Sequence, residues 1–282
     1  MVENTVRVAA IQMRSGVSPA ANLDAIAEFA AEAATAGAAY VLTPEVSVAF
    51  VRNRTELAEM AGPFENNPAL ARCGEIAADT GVFLHLGSLA IAVDGDMFVN
   101  KSVLFAPDGQ MVASYDKIHL FDADPPDDRP YHESASYRGG NAAVVAKGPE
   151  FNLGMSICYD MRFPKLYAAL AGGGAEVISV PAAFTVPTGK AHWEVLLRAR
   201  AIETGSYVIA AAQGGVHENG RATWGHSMIV DPWGVIVAER ADDTPGLVLA
   251  DIDLARVRDV RARVPALANA RPFSLSVNPH LL

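Results

Sequence analysis

The chain has no hydrophobic run approaching the roughly 18–20 residues that span a bilayer, so no membrane partner is expected. It is poor in basic residues. Twenty-two Lys and Arg stand against 32 Asp and Glu, for a formal net charge of −10 and an isoelectric point near 5.1. No basic stripe interleaved with aromatics occurs, which argues against a nucleic-acid partner. Only two cysteines are present, Cys73 and Cys158. They could form one bridge, yet free thiols in a cytoplasmic protein are the simpler reading. The opening MVENTVRVAAIQM lacks a basic segment followed by an apolar one, so no signal peptide is expected. His217 and His226 have no short-spaced companion ligand, so neither metal nor cofactor is expected. The acidic group Asp122, Asp124, Asp127 and Asp128 lacks the glycine and closing glutamate of a calcium loop. Internal repeats, low-complexity blocks and linkers are missing too, which favours one domain over residues 1–282.

What the chain does have is apolar bulk: 282 residues, 51% hydrophobic, enough for a large core. VRVAAIQM (6–13) reads as a buried strand. Residues 21–36 space Leu23, Ile26, Ala27 and Ala30 as a helix ended by Gly37, and Tyr40-Val41-Leu42 is a second strand. This start predicts an α/β sheet with right-handed crossovers. A helix over 68–80 leads into VFLHLGSLA, where His85 is expected as a hydrogen-bonded core residue. Asp94-Gly95 and Pro107-Asp108-Gly109 mark hairpins, so the sheet is mixed and two sheets stack. Residues 115–140 form a long polar loop of the kind that is usually functional or disordered. A strand over 151–157 follows, then a helix opened by Pro164. Gly172-Gly173-Gly174 comes after that helix and reads as its cap. Residues 188–205 predict an amphipathic helix with Thr188 as N-cap and Gly205 just past its end. A hairpin turning at Asp231-Pro232-Trp233-Gly234, a strand GLVLADID and a helix over 254–263 complete the pattern. The tail from about 265 to 282 lies over a partner subunit or frays.

Three chemically active residues share a position type. Glu45, Lys117 and Cys158 each follow an apolar strand at its presumed carboxyl end, where ligand sites of such sheets lie. Each has an ordinary reading: a solvated glutamate, a solvated lysine, a buried structural thiol. Together they form a set suited to amide-type bonds. The thiolate attacks, the carboxylate moves the proton, and the ammonium with the Tyr159 amide N–H holds the oxyanion. A helix N-terminus after Cys158 is expected to lower its thiol pKa. Whether burial or the lysine dominates the glutamate's pKa stays open.

TPEVS (43–47), YDKIHLFD (115–122) and GMSICYDMRFP (154–164) resemble, in order and spacing, the motifs of the nitrilase, or carbon–nitrogen hydrolase, superfamily. The resemblance implies a four-layer αββα sandwich of two stacked mixed sheets flanked by helices. It implies a Glu–Lys–Cys triad carried onto Glu45, Lys117 and Cys158, and a supporting glutamate, matched by Glu133 in YHES. TGKAHWEVLLRARAIETGSYVIAAAQGGVH and GHSMIVDPWG are similar to the branch containing deaminated glutathione amidase, with ω-amidases of 2-oxo acids next. That branch implies a small amide substrate cleaved to a carboxylate and ammonia, and a homodimer or higher homo-oligomer. Nitriles and N-carbamoyl amino acids remain alternative substrates, and a non-catalytic binding protein on the same fold remains an alternative function. Val46 and Lys190 depart from the branch pattern at positions that face substrate. An anionic substrate needs a cation, for which Arg162, Lys190 and Arg198 are candidates. Phe184 and Thr185 are further candidates for substrate contact. Arg162 has a second reading as a brace for Asp160, and Arg198 as an ion pair within the fold.

Overall fold

The computed structural model describes residues 5–277 apart from Gly95, Asp127 and Asp128. Part of the Asp94-Gly95 turn, half of the acidic group and the last five residues therefore lie outside the described residues. Sixteen strands are described: β1 Thr5–Gln12, β2 Tyr40–Leu42, β3 Phe83–Ala92, β4 Phe98–Phe105, β5 Met111–Asp116, β6 Asp122–Ala123, β7 Tyr131–His132, β8 Val144–Lys147, β9 Asn152–Met155, β10 Val177–Ala182, β11 Tyr207–Ala212, β12 Gly214–Val216, β13 Ala222–Trp224, β14 Met228–Val230, β15 Ile236–Glu239 and β16 Gly246–Asp253. The helices are α1 Pro19–Thr35, α2 Arg54–Met60, α3 Pro68–Thr80, α4 Pro164–Gly172, α5 Val186–Thr204, α6 Leu254–Arg263 and α7 Ala266–Asn269.

Two six-stranded sheets carry the architecture, in the orders β16-β1-β2-β3-β4-β5 and β15-β14-β11-β10-β9-β8. Each has a parallel centre, β1-β2-β3 and β9-β10-β11, flanked by antiparallel strands. Strand periodicity explains the layering. Alternate side chains point to opposite faces, and in β1 Val8 and Ala10 join the core shared with the second sheet, while Ala9 and Ile11 join the core under α1 and α3. A strand buried on both faces is apolar throughout, which is why VRVAAIQ shows no alternation. Leu166, Leu170, Trp193 and Leu197 of α4 and α5 cover the second sheet. The result is four layers, helix, sheet, sheet, helix, as the family resemblance implied.

Helix ends follow local chemistry. Asn67 caps α3, its side chain accepting from the Ala69 and Leu70 amides. The α5 cap differs from expectation: the helix begins at Val186 with Thr185 as N-cap, and Thr188 lies inside its first turn. Pro187 explains the shift, because proline fits the first turn of a helix, where its missing N–H costs nothing. Gly205 follows α5 in the left-handed conformation, φ 57°, as expected. The strand leading to Cys158 is shorter than expected, 152–155. Past Arg263 no residue through Val277 is buried, and Phe273 and Leu275 are almost fully exposed.

The two sheets approach closely at Gly87. A Cβ there would sit within contact distance of the Thr43 and Pro44 carbonyl oxygens and the Pro181 side chain. Gly87→Ala is therefore expected to cost about 3 kcal/mol by overpacking, read as a lowered urea midpoint with an unchanged slope.

Candidate active site

Glu45 is presented by a turn tied at several points. The Thr43 hydroxyl meets the Ser47 hydroxyl at 2.7 Å and accepts from the Gly87 amide at 2.9 Å. Gln213 donates to the Glu45 carbonyl at 3.0 Å, and the Val46 amide donates to Ser88 Oγ at 2.9 Å. Val46 pays for this shape with a left-handed backbone, φ 52°, a conformation that a β-branched residue rarely adopts. Lys117 leaves the end of β5 with its amide donating to Asn100 O at 2.9 Å. Cys158, also left-handed at φ 48°, begins a 3-10 turn over Cys158–Arg162.

The structure brings Glu45, Lys117, Glu133 and Cys158 together in one cavity of about 400 Å³. Lys117 Nζ donates to Glu45 Oε1 at 2.9 Å and to Glu133 Oε1 and Oε2 at 3.0 and 2.8 Å. Only 2% of Lys117 is exposed. Glu45 Oε2 accepts the Ala183 amide at 2.9 Å, and Glu133 Oε2 accepts the Phe121 amide at 2.6 Å. Asn100 Nδ2 bridges the two carboxylates at 2.9 and 3.4 Å, which fixes its amide orientation, since the reverse would aim a carbonyl at a carboxylate. The Cys158 thiol and the Glu45 carboxylate share this cavity and act on each other's ionisation.

Charges follow from this packing. Burial alone would raise the Glu45 pKa, but the Lys117 charge and hydrogen bond hold it below its ordinary value. Burial would lower Lys117, yet Glu133 and Glu45 raise it well above the usual amine range. Cys158 is pushed up, first by burial and then by the Glu45 carboxylate. This overturns the expected depression by a helix N-terminus. The 3-10 turn is only five residues long, and its weak dipole loses to desolvation and a neighbouring anion. The resting site thus holds a carboxylate, an ammonium and an uncharged thiol.

Asp160 joins the cysteine turn to the lysine loop. It is fully buried and accepts from the Ile157 amide, the Tyr115 hydroxyl, and the amide and Nδ1 of His119, all within 3.0 Å. Arg162 does not brace it. The Arg162 guanidinium lies over the rings of Tyr159 and Phe184, beside His192 Nδ1, one layer out from the cavity wall. Lys190 is exposed and absent from that wall, and Arg198 pairs with Glu194 and the Gly234 carbonyl. Phe184, Thr185, Tyr159 and Val46 do line the cavity. The first bond of the 3-10 turn runs from the Asp160 amide to the Ile157 carbonyl, so the Tyr159 amide one position earlier has no acceptor within that turn. His85 bonds Tyr40 and Ser102 in the core, with its pKa lowered to about 3 by burial.

Sequence reasoning missed Asn100, the Ala183 amide and Arg221, which also lines the cavity. Asn100 was marked by its polarity inside the apolar run FVNKSVLF, and Ala183 by following a strand end like the three residues above. No sequence signal marked Arg221.

Comparison with known proteins fits this geometry. The carbon-nitrogen hydrolase family matches residues 7–262. A deaminated glutathione amidase of Synechocystis sp. is 44% identical over 268 residues, covering 92% of this chain and 96% of that protein. The crystal structure of the C. elegans NitFhit protein superposes with a TM-score of 0.88 at 35% identity, over 96% of this chain and 66% of that one. A Glu-to-Gln mutant of an amidase from Nesterenkonia sp. AN1, with the acetamide moiety of fluoroacetamide added covalently at its active-site cysteine, gives a TM-score of 0.79 at 28% identity over 93% and 96% of the two chains. The protein is a hydrolase of carbon–nitrogen bonds other than peptide bonds. It belongs to the carbon-nitrogen hydrolase family.

Lys117→Met would leave the buried Glu45 and the half-buried Glu133 carboxylates uncompensated, at an expected cost of roughly 3–5 kcal/mol near pH 7. In the wild type the Glu45 contribution is present above its ordinary pKa of 4.5 and fades only as pH falls through the lower folded value. In the variant burial raises that pKa, so protonation relieves the folded state. Urea titrations should show the gap between the two proteins narrowing from pH 7 to pH 5.

Proposed function

We propose that the protein is a thiol amidohydrolase acting on a small carboxylate-bearing amide, with deaminated glutathione as the leading substrate. The observation that carries the reading is the Lys117 ammonium held between Glu45 and Glu133 beside an uncharged Cys158. As Cys158 Sγ attacks the amide carbon, its proton passes to Glu45. Lys117 Nζ and the Tyr159 amide meet the developing oxyanion, and removal of one such donor costs roughly 3–4 kcal/mol in comparable sites. Glu45 returns the proton to the departing nitrogen and a thioester remains. Glu45 then takes a proton from water, the new tetrahedral species collapses, and the sulfur recovers its proton while the acid is released. Glu133 holds Lys117 in place. The nitrogen of a primary amide leaves as ammonia. Deaminated glutathione, whose scissile nitrogen belongs to a cysteinyl residue, instead releases a dipeptide amine, so the ammonia expected from the sequence applies to primary amides and not to this substrate.

The name and identity of the Synechocystis relative support the substrate. The adduct at the cysteine of the Nesterenkonia amidase supports the nucleophile. Both cysteines are free thiols, which suits a reducing cytoplasm, and no helix among the described residues is long and apolar enough to cross a membrane. Exposed Val195 and Ile202 of α5 lie on the helix that packs against the Trp233–Val235 turn, itself half exposed. This apolar face supports self-association as a homo-oligomer, and light scattering should give a mass above that of one chain.

Glu45→Gln should accumulate an acyl adduct on incubation with deaminated glutathione, detected by intact mass, and Cys158→Ala should show none. Wild-type turnover is expected with deaminated glutathione and 2-oxoglutaramate and not with nitriles or N-carbamoyl amino acids. Turnover of no member of that panel would return the fold to a binding role.

A further inference from the structure

The cavity holds cations that the thioester chemistry does not use. Arg52 is paired with Glu56 and Glu218, and Arg54 donates to the Ala135 and Asp96 carbonyls. Arg221 differs from both: among the described residues its guanidinium has no hydrogen bond or ion pair. It rests instead between two aromatic rings, 5.3 Å from the centroids of Phe50 and of Tyr131.

Its backbone is held firmly. Arg221 N–H donates to Asn219 Oδ1 at 2.9 Å, and its carbonyl accepts the His217 amide at 2.8 Å. Asn219 in turn donates to the Phe50 and Val51 carbonyls at 3.0 and 3.2 Å. The tip of the β12–β13 hairpin is therefore pinned to the segment that follows Glu45. A planar fork of donors is fixed at the cavity wall before any ligand arrives, with its ring contacts on the faces and its N–H groups unspent. Burial and the neighbouring Arg129 charge depress its basicity, as expected where counter-charge is short. The carboxylate acting on it is Glu45, already engaged by Lys117.

We propose that Arg221 is the residue that binds a carboxylate of the substrate, so that the site selects amides carrying a negative charge. The carboxylate sits either on the acyl part, which stays through both half-reactions, or on the leaving amine. This assignment rests on the amidase reading above. It replaces Arg162, Lys190 and Arg198 in that role, none of which lines the cavity.

The test uses the full-length protein with Arg221→Met and Arg221→Lys, both expected to keep the wild-type Tm. In titration calorimetry glutarate should bind the wild type, and R221M at least about ten-fold more weakly, the loss typical of a charge-assisted contact. R221K should fall between them, because an ammonium keeps the charge and loses the fork. Kinetics then place the carboxylate. Glutaramate against its methyl ester reads charge on the acyl part, and deaminated glutathione against its glycine methyl ester reads charge on the leaving amine. In one pair R221M should lower kcat/KM for the charged member by about 10–100-fold and change the ester by less than about three-fold. Equal losses for acid and ester in both pairs, or glutarate binding that is undetectable in the wild type or unchanged in R221M, would overturn the assignment. Arginine-dependent glutarate binding without turnover of any of the four amides would leave the carboxylate subsite standing and defeat the amidase reading.

Discussion

The structure turns on a buried ammonium between two carboxylates. Moving Lys117, Glu45 and Glu133 out of water carries a penalty of several kcal/mol per ion, and only close, fully bonded geometry offsets it. The three groups come from different places: the turn after β2, the end of β5, and the long loop after β7. Their mutual attraction joins the first sheet to that loop. The Ala183 amide on Glu45 brings the second sheet into the same network. A site assembled this way cannot form until both sheets are stacked.

The same arrangement sets the order of the chemistry. Lys117 is already engaged by both glutamates, so the site has no spare positive charge to stabilise a thiolate, and burial beside Glu45 keeps the thiol protonated. On the proposed amidase reading, nucleophile and base become active together, when a polarised carbonyl gives the negative charge somewhere to go. Asp160 contributes by holding the cysteine turn and the lysine loop to one buried carboxylate, so donor and nucleophile cannot drift independently.

Much of this was legible in the chain. Helix caps, proline at helix starts and turn dipeptides located most elements, and the rule that sites lie past strand carboxyl ends gathered Glu45, Lys117 and Cys158 before any contact was known. The same rule reached Ala183, but a backbone amide has no letter of its own in a sequence. The Thr188 hydroxyl suits a cap, but Pro187 beside it moves the boundary back to Thr185. The thiol's ionisation is not legible in the chain, because a helix terminus is visible in sequence, whereas burial and a carboxylate from over a hundred residues away are not. Arg221 was invisible for the same reason: nothing near it in the chain tells a solvated hairpin arginine from one stacked between Phe50 and Tyr131.

The raised pKa of Cys158 also bears on how the protein meets oxidants and electrophiles. Peroxide and simple alkylating agents react with the sulfur anion, and the resting enzyme presents almost none. Cys73, raised to about 12 by burial, presents still less. On the proposed amidase reading, restraint towards oxidants and stray electrophiles comes from the same electrostatic setting that waits for a seated amide.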